Sequence, residues 1–562
     1  WPLGPFISVG WMSLVSVALL LAAAPPLPAA TALSPLNAGA LLPLWPLPKS
    51  VISNSSKVLV RRIDQAFSIS NVGAMAQGNI VIARAIQRYE ALVRGTVPSI
   101  GGRCNSAPAA GTAVITQLIV AVASNISSLV GSPDESYKLR VPVEGPAVLS
   151  APSVFGALRG METFSQLVAS NHGTLVACSG VNISDSPRFT HRELLVDTAR
   201  YYFPASAMLH ILDAMAYSKL NVLHWHLIDG QSFSLESSTY PELSKAGAFR
   251  PGTIGCGATR CTYSAADVAQ VVDHGLDRGI RVVPEFDTPG HAKSWGDAYP
   301  NVTVRGCSAN ADLTPLNPIE PFAAELVKGV LDEFMAPGGT FRRSGADRVH
   351  LGGDEVHTVC YENRAFCRDC DRIASYLSAH NLSAAALVDQ WHHAVHGWST
   401  ALSLTPIVWE EAFTMSADGG ASLAPNAVVQ IWKEEGAALQ PTAAAGREVL
   451  LSAGWYVHSS SKVEDFYSIE PFHLDGNWTD EQRLKVLGGG VSKWGCSGFC
   501  PFPTTPHNFD SKVWPLACAV AERLWSPYEA TASFADAEER IAVHRERLLA
   551  RGVDAGKLHG AR

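Results

Sequence analysis

The sequence predicts an α/β protein built from a (β/α)8 TIM barrel that is preceded by a smaller α+β domain. Eight short apolar runs recur after residue 187, and segments with helical spacing of apolar residues separate them. Each run ends in polar or aromatic residues, as expected for a barrel, which builds its site at the carboxyl ends of its strands. A doubly wound open sheet is the alternative. That fold commonly has a glycine-rich phosphate loop after its first strand, and no such loop follows the first predicted strand here.

The amino-terminal residues 1–30 predict a signal peptide. An apolar run at residues 14–24 precedes two prolines and a small-residue segment that suits cleavage. The run is shorter than the roughly 20 residues of a membrane span. Because no Lys or Arg precedes the run, a signal anchor is the alternative. Either role indicates the secretory pathway, with the protein secreted, lysosome- or vacuole-like, or at the cell surface.

Residues 41–187 predict the smaller α+β domain. Apolar runs at residues 57–60, 113–122 and 138–141 predict strands, and residues 79–93 place their apolar side chains on one helical face. Pro187 and the basic segment after it mark a boundary, so that residues 188–562 form the barrel domain.

The barrel domain contains the eight predicted strands and the helices between them. Helical spacing is clearest at residues 206–220, 265–278 and 321–334. Residues 534–551 predict either the last barrel helix or a helix for a partner. The predicted strands are residues 194–198, 221–228, 280–286, 348–351, 406–408, 428–431, 449–453 and 485–487.

Composition and charge exclude two classes of protein. Hydrophobic residues make up 47% of the chain, enough for a large core, which excludes a mainly disordered protein. The net charge is −8 and the sequence has no run of five like charges, which argues against nucleic acid as a partner.

Cysteines and glycosylation sequons favour the secretory route. The chain has 11 cysteines, and this odd count leaves at least one free thiol. Close cysteine pairs in a secreted chain are more typical of disulfides than of metal ligands, and the pairs are Cys256/Cys261, Cys367/Cys370 and Cys496/Cys500. The predicted glycosylation sites are Asn54, Asn125, Asn182, Asn301, Asn381 and Asn477.

The segment His-Leu-Gly-Gly-Asp-Glu at residues 350–355 carries the strongest chemical signal. Two glycines let the backbone turn, so Asp354 and Glu355 can both face the barrel mouth, where paired carboxylates indicate glycoside hydrolysis. A solvated acid pair after a turn is the alternative. The other residues that close the runs are Arg200, Asp229, Asp287 with His291, Trp409 with Glu411, Trp432, Tyr456 and Trp494.

Two histidines, His224 and His226, alternate along the second run. A metal site is one interpretation. A hydrogen-bonded inner layer of the barrel is the better one, because side chains two apart on a strand face the same side. We therefore predict no metal, and no other feature of the sequence points to a cofactor.

Several longer motifs make the chain resemble a β-N-acetylhexosaminidase of glycoside hydrolase family 20. The resemblance covers about residues 41–555 and its motifs fall in the family's order. They are Asp-Glu-Ser-Tyr-Lys-Leu at 134–139, Gly-Met-Glu-Thr-Phe-Ser-Gln at 160–166, Leu-Val-Asp-Thr-Ala-Arg at 195–200, Lys-Leu-Asn-Val-Leu-His-Trp-His-Leu-Ile-Asp at 219–229, Glu-Phe-Asp-Thr-Pro-Gly-His at 285–291, Gly-Gly-Asp-Glu at 352–355 and Val-Ala-Glu-Arg-Leu-Trp at 520–525.

The resemblance implies a retaining exo-enzyme whose nucleophile is the substrate's own 2-acetamido oxygen, which forms an oxazolinium ion. Glu355 is then the general acid and afterwards the base, and partial burial is expected to hold its pKa near the working pH. Asp354 would accept the acetamido N–H, and Tyr456 would donate to the acetamido oxygen.

The remaining roles that the resemblance implies concern sugar binding and assembly. It implies a Cys307–Cys360 disulfide, and it implies a homodimer, for which the sequence itself gives no interface signal. The implied substrate-binding residues, which wall the sugar, grip its outer hydroxyls or support the acid pair, are Arg200, Asp229, His291, Trp409, Trp432 and Trp494.

The chain departs from the family pattern at several positions. Gly230 stands where the family has a second acid, Glu193 where it has Gly, and His458 where it has Asn or Asp. In the eighth run the family has Gly-Gly-Glu and then Trp-Gly-Glu, whereas this chain ends the two motifs with Gly490 and Cys496. The second missing Glu normally binds the outer hydroxyls, and its loss would cost about 1.5–3 kcal/mol of binding.

These observations leave three functions to separate. The first is hydrolysis of terminal β-linked N-acetylhexosamine from glycans or chito-oligosaccharides. The second is a sugar-binding homologue with weakened catalysis, which Gly230 and Cys496 motivate. The third is a conventional glycosidase whose nucleophile is Asp287 or Glu411.

Overall fold

A computed structural model describes most of the chain from residue 42 to residue 558. The described ranges are 42–53, 59–72, 77–95, 104, 106–109, 111–249, 256, 261–304, 306, 313–362, 369–433, 436–473, 477–495 and 504–558. The predicted signal segment, residues 1–30, and the sequon at Asn54 lie outside these ranges. None of the helices in the described part of the chain combines the length and the apolarity that a membrane crossing requires.

An eight-stranded sheet forms the amino-terminal part of the fold, with strand order β1-β8-β4-β5-β3-β2-β7-β6. Two helices, Ile80–Arg94 and Val154–Gln166, contribute their buried residues to the same apolar core as the sheet. The first helix begins at Asn79, whose side chain accepts hydrogen bonds from two backbone amides. The strands are β1 Ser50–Ser53, β2 Leu59–Asn71, β3 Ile115–Val122, β4 Tyr137–Val141, β5 Ala147–Ala151, β6 Val168–Asn171, β7 Thr174–Ser179 and β8 Val181–Asp185.

A closed parallel barrel follows, which confirms the predicted fold class. Its strand order is β10-β13-β14-β15-β16-β17-β18-β9, so the first and last strands of the barrel pair with each other. A separate two-stranded sheet, β11 Ile228–Asp229 with β12 Ser232–Phe233, follows β10. The barrel strands are β9 His191–Asp197, β10 Val222–His226, β13 Arg281–Glu285, β14 Arg348–His350, β15 Thr405–Trp409, β16 Val428–Ile431, β17 Glu448–Leu451 and β18 Val486–Lys493.

The helices between and after the strands match the predicted segments. Helix Phe534–Ala550 packs Ile541 and Leu548 into the barrel core, so it is a barrel helix rather than one left free for a partner. The α-helices of this part are Ala205–Tyr217, Glu242–Gly247, Ala265–Leu276, Lys293–Ala298, Pro321–Met335, Val359–Glu362, Cys370–His380, Ala384–Ala401, Glu411–Thr414, Leu439–Ala444, Val463–Ser468, Asp480–Lys485, Phe509–Val513, Leu516–Trp525 and Phe534–Ala550. Short 3-10 helices are Pro300–Val302, Thr340–Arg342, Pro471–His473 and Tyr528–Ala530.

The side chains inside the barrel form two layers. Side chains two residues apart on a strand face the same side, so inward-facing residues of one strand lie one above the other. On β10, Val222 lies one step below His224, and on β13, Val283 lies one step below Glu285. The lower layer is an apolar cluster of Val222, Val283, Ile407, Val428 and Leu450. The upper layer is polar, and it supports the residues at the carboxyl ends of the strands.

Buried ion pairs join the amino-terminal sheet to the amino ends of the barrel strands. Glu135 binds both Arg159, at 2.7 Å, and Arg192, at 2.8 Å. Lys219 lies 3.0 Å from Asp185. Removing one partner of such a pair costs about 3–5 kcal/mol, so this end of the barrel is firmly held. The candidate site lies at the opposite end.

The cysteines partly match the predicted pairing. Cys256–Cys261 is a disulfide, as predicted, and the structure adds Cys104–Cys178, which the sequence did not indicate. Cys518 is a buried free thiol, as the odd count requires. Cys360 is disulfide-bonded. The predicted partner Cys307 lies outside the described residues, as do Cys367, Cys496 and Cys500.

The predicted glycosylation sites differ in exposure. Asn125, Asn301, Asn381 and Asn477 are exposed, whereas Asn182 is half-buried within β8. An oligosaccharide is bulky and needs a surface position. The four exposed sequons therefore remain the better candidates for modification.

Candidate active site

Two glycines after β14 turn the backbone toward the barrel mouth. Gly352 and Gly353 have φ angles of 67° and 94°, in the region that favours glycine. A Cβ on Gly352 would overlap the carboxylate of Asp287, and one on Gly353 would lie 2.9 Å from the His392 ring. The turn brings the two following acids, at 354 and 355, to the carboxyl end of the barrel.

His291 joins these two carboxylates. Its Nε2 lies 3.3 Å from Glu355 Oε2 and 3.9 Å from Asp354 Oδ2. Its Nδ1 lies 3.2 Å from the buried carboxylate of Asp229. A carboxylate behind an imidazole fixes the orientation of the ring, so Asp229 aims His291 at the acid pair.

The two acids have different environments. Only 13% of the Asp354 side chain is exposed, against 43% for Glu355. Burial raises the pKa of Asp354 to about 6, and nearby carboxylates add to this effect while His291 opposes it. The contact with His291 lowers the pKa of Glu355, although burial acts the other way. In this structure the pKa of Glu355 is lowered and the raised pKa belongs to Asp354; a Glu355 pKa near the working pH stays a prediction.

Arg200 is a second cation in contact with Asp229. Its Nη2 lies 2.6 Å from Asp229 Oδ2, and its guanidinium lies 5.2 Å from the centroid of the Trp494 ring. Burial opposes the ionised form of Asp229, but Arg200 and His291 outweigh it and hold the Asp229 pKa well below its usual range. Asp229 therefore stays ionised between two cations.

Four aromatic rings from four strand ends form a ring wall, which we define as Trp409, Trp432, Tyr456 and Trp494. Ring centroids lie 5.8 Å apart for Trp409 and Trp494, and 6.4 Å apart for Trp494 and Tyr456. Trp432 stacks on Tyr456 at 6.0 Å. Burial and nearby carboxylates raise the Tyr456 pKa well above its ordinary value, so its hydroxyl remains a proton donor.

One charged residue at the mouth was missed by the sequence analysis. Lys433 Nζ lies 2.5 Å from Glu411 Oε1, and the indole of Trp432 donates to Glu411 Oε2 at 2.9 Å. Lys433 also helps to lower the pKa of Glu355. Its place directly after Trp432, which closes a predicted strand, was a signal that could have identified it.

The departures from the family pattern have distinct surroundings. Gly230 donates its backbone N–H to Asp229 Oδ1. His458 is exposed and stacks on Tyr456 with ring centroids 6.2 Å apart. Cys496 lies outside the described residues.

The histidines of β10 belong to a hydrogen-bonded inner layer, as predicted. His224 Nε2 lies 2.9 Å from Glu285 Oε2, and its Nδ1 lies 3.2 Å from Glu193 Oε1. His226 bonds Glu285 through Nδ1 and Asp229 through Nε2, the second at 3.0 Å. The layer therefore reaches the residues beneath the acid pair.

Among the described residues, three sets of side chains have potential metal-ligand atoms within 4.8 Å of one another. In the first set, both nitrogens of His224 and both oxygens of Glu285 already have hydrogen-bond partners. A metal would have to displace these bonds. The sets are His224/Glu285/His350, Asp229/Asp287/His291 and His291/Asp354/Glu355.

The structure brings all the predicted catalytic and substrate-binding residues into one connected set at the carboxyl end of the barrel. An acid pair, a protonated phenol, a guanidinium and an aromatic wall together suit a polar ring with apolar faces, such as a sugar. The connected residues are Arg200, Asp229, His291, Asp354, Glu355, Trp409, Trp432, Tyr456 and Trp494.

The chain is similar to known proteins in family pattern, sequence and structure. Residues 189–528 match the model of the glycosyl hydrolase family 20 catalytic domain, and residues 44–167 match a domain described as beta-acetyl hexosaminidase like. The chain is 33% identical to mouse beta-hexosaminidase subunit beta over 533 residues, covering 92% of each chain. It is 34% identical to Arabidopsis thaliana beta-hexosaminidase 3, covering 92% of this chain and 91% of that one.

Solved structures agree with the sequence matches. A chitobiase from Flavobacterium johnsoniae superposes with a TM-score of 0.74 at 25% identity, covering 91% of this chain and 73% of that one. An exo beta-N-acetylglucosaminidase from Vibrio harveyi, solved with N-acetylglucosamine, gives a TM-score of 0.72 at 21% identity, covering 95% of this chain and 80% of that one. The second likeness is one of fold.

Proposed function

The chain belongs to glycosyl hydrolase family 20, and from this premise we propose that it removes terminal non-reducing β-linked GlcNAc or GalNAc from glycans or chito-oligosaccharides. It acts as a retaining exo-enzyme by the substrate-assisted route. The observation that carries the proposal is the Asp354–Glu355 pair, whose pKa values are shifted in opposite directions next to one wall of aromatic rings. Two carboxylates with different environments are suited to two different roles.

Asp354 and Tyr456 hold the substrate's acetamido group. Asp354 accepts the acetamido N–H and, once ionised, stabilises the positive charge that develops on the group. Tyr456 donates its hydroxyl to the acetamido oxygen and keeps it in line with the anomeric carbon. Attack by that oxygen forms the C1–O bond of the oxazolinium ion while the bond to the leaving group breaks.

Glu355 moves the proton in both steps. It first gives its proton to the leaving oxygen, and as carboxylate it then takes a proton from the water that opens the oxazolinium ion. A bound leaving group would cover the exposed side of Glu355. Loss of water there raises the carboxyl pKa, which would counter the lowering by His291 and favour the protonated form that the first step needs.

The ring wall and Arg200 account for binding in this proposal. Trp409, Trp432 and Trp494 enclose the acetamido methyl and a face of the sugar, which excludes water from the reactive ion. Arg200 directs its guanidinium at the outer hydroxyls. Its pairing with Asp229 and the Trp494 ring supports this placement.

A sugar-binding homologue with weakened catalysis is the alternative that the departures at Gly230 and Cys496 support. A conventional enzyme nucleophile has less support from the geometry. Asp287 is buried and accepts a hydrogen bond from the Gly353 amide, and burial raises its pKa. Glu411 is paired with Lys433.

The test compares wild type with Glu355→Gln on two N-acetylglucosaminides, one with a nitrophenyl leaving group and one with a sugar leaving group. Release of the sugar needs the acid more, so its kcat should fall by a larger factor than release of nitrophenol. Glu362→Gln, an exposed change seven residues along the chain, is the control and should leave both rates unchanged. Equal rates for Glu355→Gln and wild type would refute the assignment.

The acetamido requirement separates the three functions. A matching glucoside without the acetamido group should not be cleaved, and a thiazoline mimic of the oxazolinium ion should inhibit strongly. Binding of N-acetylglucosamine without turnover would favour the binding homologue. A sugar trapped covalently on Asp287 or Glu411 would favour the conventional route.

We also propose that the enzyme works in the secretory pathway or outside the cell. The apolar segment at residues 14–24, the exposed sequons and the disulfides support this location. A homodimer remains a prediction, and light scattering of the purified protein would test it.

A further inference from the structure

The seam where the barrel closes contains an exchange of side chains between two strands. Gly490 of β18 and Glu193 of β9 are register partners, so their side-chain positions share one face of the sheet. Glu193 contacts the buried His224 ring, so this face is the barrel interior. A Cβ on Gly490 would lie 2.6 Å from the Cβ of Glu193 and 2.9 Å from its Oε1. The space therefore holds one side chain, and here it comes from position 193.

These two positions are also two of the departures from the family pattern. The family resemblance implies Gly at the position of Glu193 and Glu at the position of Gly490. Taken separately, Glu193 adds a buried charge to the family pattern and Gly490 removes one. In the folded barrel the two positions lie side by side, about 4.8 Å apart, which is the spacing of neighbouring strands. The interior therefore keeps one carboxylate at this place.

Glu193 is the inner end of a hydrogen-bonded column that reaches the acid pair. It accepts from Gln430 at 2.8 Å and lies 2.8 Å from the His191 ring, so its carboxylate is fixed at the bottom of the polar layer. Glu193 is also fully buried. The inner column consists, in order, of Glu193, His224, Glu285, His226, Asp229 and His291.

Charge alternates along the inner column. Burial opposes protonation of His224, but the carboxylates on either side outweigh it and raise the His224 pKa to about 9. The same balance raises the pKa of His226 to about 10. His224, Glu285, His226 and Asp229 each thus lie between charges of opposite sign, which is the condition for keeping them in a low-dielectric interior. Loss of the terminal carboxylate would leave His224 with one anionic partner instead of two.

We propose that Glu193 is a positioning residue for Glu355, acting through the inner column, and that position 490 is an equivalent place for the same carboxylate. The inference rests on the proposed function, because Glu355 is the acid in that proposal. It adds a residue on the far side of the barrel interior that sets the orientation of His291 without touching substrate. The last contact of the column is His291 Nε2 to Glu355 Oε2, at 3.3 Å.

Four variants test the proposal: Glu193→Gln, Glu193→Gly, Gly490→Glu and the exchange Glu193→Gly with Gly490→Glu. Glu193→Gln keeps the shape and removes the charge. We expect its kcat for a nitrophenyl N-acetylglucosaminide to fall at least tenfold while KM changes less than threefold, because the substrate does not contact this residue. Gly490→Glu should lose stability and activity, since two glutamates cannot share the space.

The exchange variant gives the sharpest outcome. We expect it to recover at least tenfold in kcat over the better of Glu193→Gly and Gly490→Glu, and to have a higher thermal midpoint than either. An exchange variant no better than the worse single variant would overturn the equivalence of the two positions. Wild-type kcat in Glu193→Gln would overturn the positioning role.

Two further measurements distinguish a failure of this proposal from a failure of the proposed function. If the wild type itself fails to cleave the substrate, the proposed function fails, and the thermal midpoints of the four variants still decide whether 193 and 490 exchange. Glu448→Gln, a half-buried carboxylate at the start of β17, is a control that removes a barrel charge outside the inner column. It should leave kcat within twofold, and an equal loss there would show that any barrel charge acts alike.

Discussion

Replacing Asp354 with Asn should stabilise the fold at neutral pH and remove activity. Asp354 is largely buried, and its Oδ1 lacks a hydrogen-bond partner among the described residues. Its pKa rises from an ordinary 3.8 to about 6, with burial as the main cause. A carboxylate whose pKa is raised by folding binds protons more tightly in the native state. The unfolding free energy therefore falls as pH rises through the window from about 4 to about 6.

The size of this effect follows from the shift. A rise from 3.8 to about 6 corresponds to about 3 kcal/mol of lost stability at pH 7. At pH 4.5 the carboxyl of Asp354 is mostly protonated in the native state. The same relation then gives a loss of stability of about 1 kcal/mol. Asn lacks the charge at both pH values. The gain in stability should therefore be about threefold larger at pH 7 than at pH 4.5.

Thermal or denaturant unfolding of wild type and Asp354→Asn at the two pH values measures this difference. Asp554→Asn, which alters an exposed carboxylate, is the control and should change stability by less than about 0.5 kcal/mol. Turnover of an N-acetylglucosaminide should be lost in Asp354→Asn, because a neutral amide cannot stabilise the developing positive charge. A variant that is less stable than wild type at pH 7, or equally stabilised at both pH values, would refute the reasoning.

Two other changes probe the ring wall and the amino-terminal sheet. Tyr456→Phe keeps the stacking on Trp432 but removes the hydroxyl, so kcat should fall about 100–1000-fold with little change in KM or thermal midpoint; a loss below threefold would exclude the hydroxyl from catalysis. Replacing both Cys104 and Cys178 with Ser opens a bond that spans 74 residues of sequence, which should cost up to about 4 kcal/mol of stability. Because that bond lies in the amino-terminal sheet, kcat and KM should stay unchanged, and a variant as stable as wild type would contradict the estimate.

The barrel could be predicted because each strand is a short apolar run between helical segments. Prediction was weakest where the apolar signal fails. The eighth run was predicted as residues 485–487, whereas β18 is Val486–Lys493, because three consecutive glycines carry no hydrophobic pattern. In the amino-terminal part, β1, β5 and β8 were not predicted, and neither was the hairpin of β6 and β7. Its strands are short and lie directly after a helix.

The site residues could be predicted because strand ends converge at one end of a barrel, whatever the details of packing. The charge states of the site residues could not be predicted from the sequence. The lowered pKa of Glu355 depends on a contact with His291, which comes from a different strand end. Spacing along the chain gives no distance between two such loops. The same reason hid Lys433, whose partner Glu411 lies 22 residues earlier.

The seam between β9 and β18 is a second case in which spacing along the chain does not reveal a contact. Positions 193 and 490 are almost 300 residues apart, and they meet only because the barrel closes with one particular register. A substitution at position 193 alters which side chain fits at position 490, and the reverse also holds, since the two side chains would occupy the same space. A glutamate missing from the last strand therefore does not by itself remove a carboxylate from the interior. The alternation of buried charges beneath the acid pair depends on the closed barrel, and it can persist when the residue that supplies one charge changes strand.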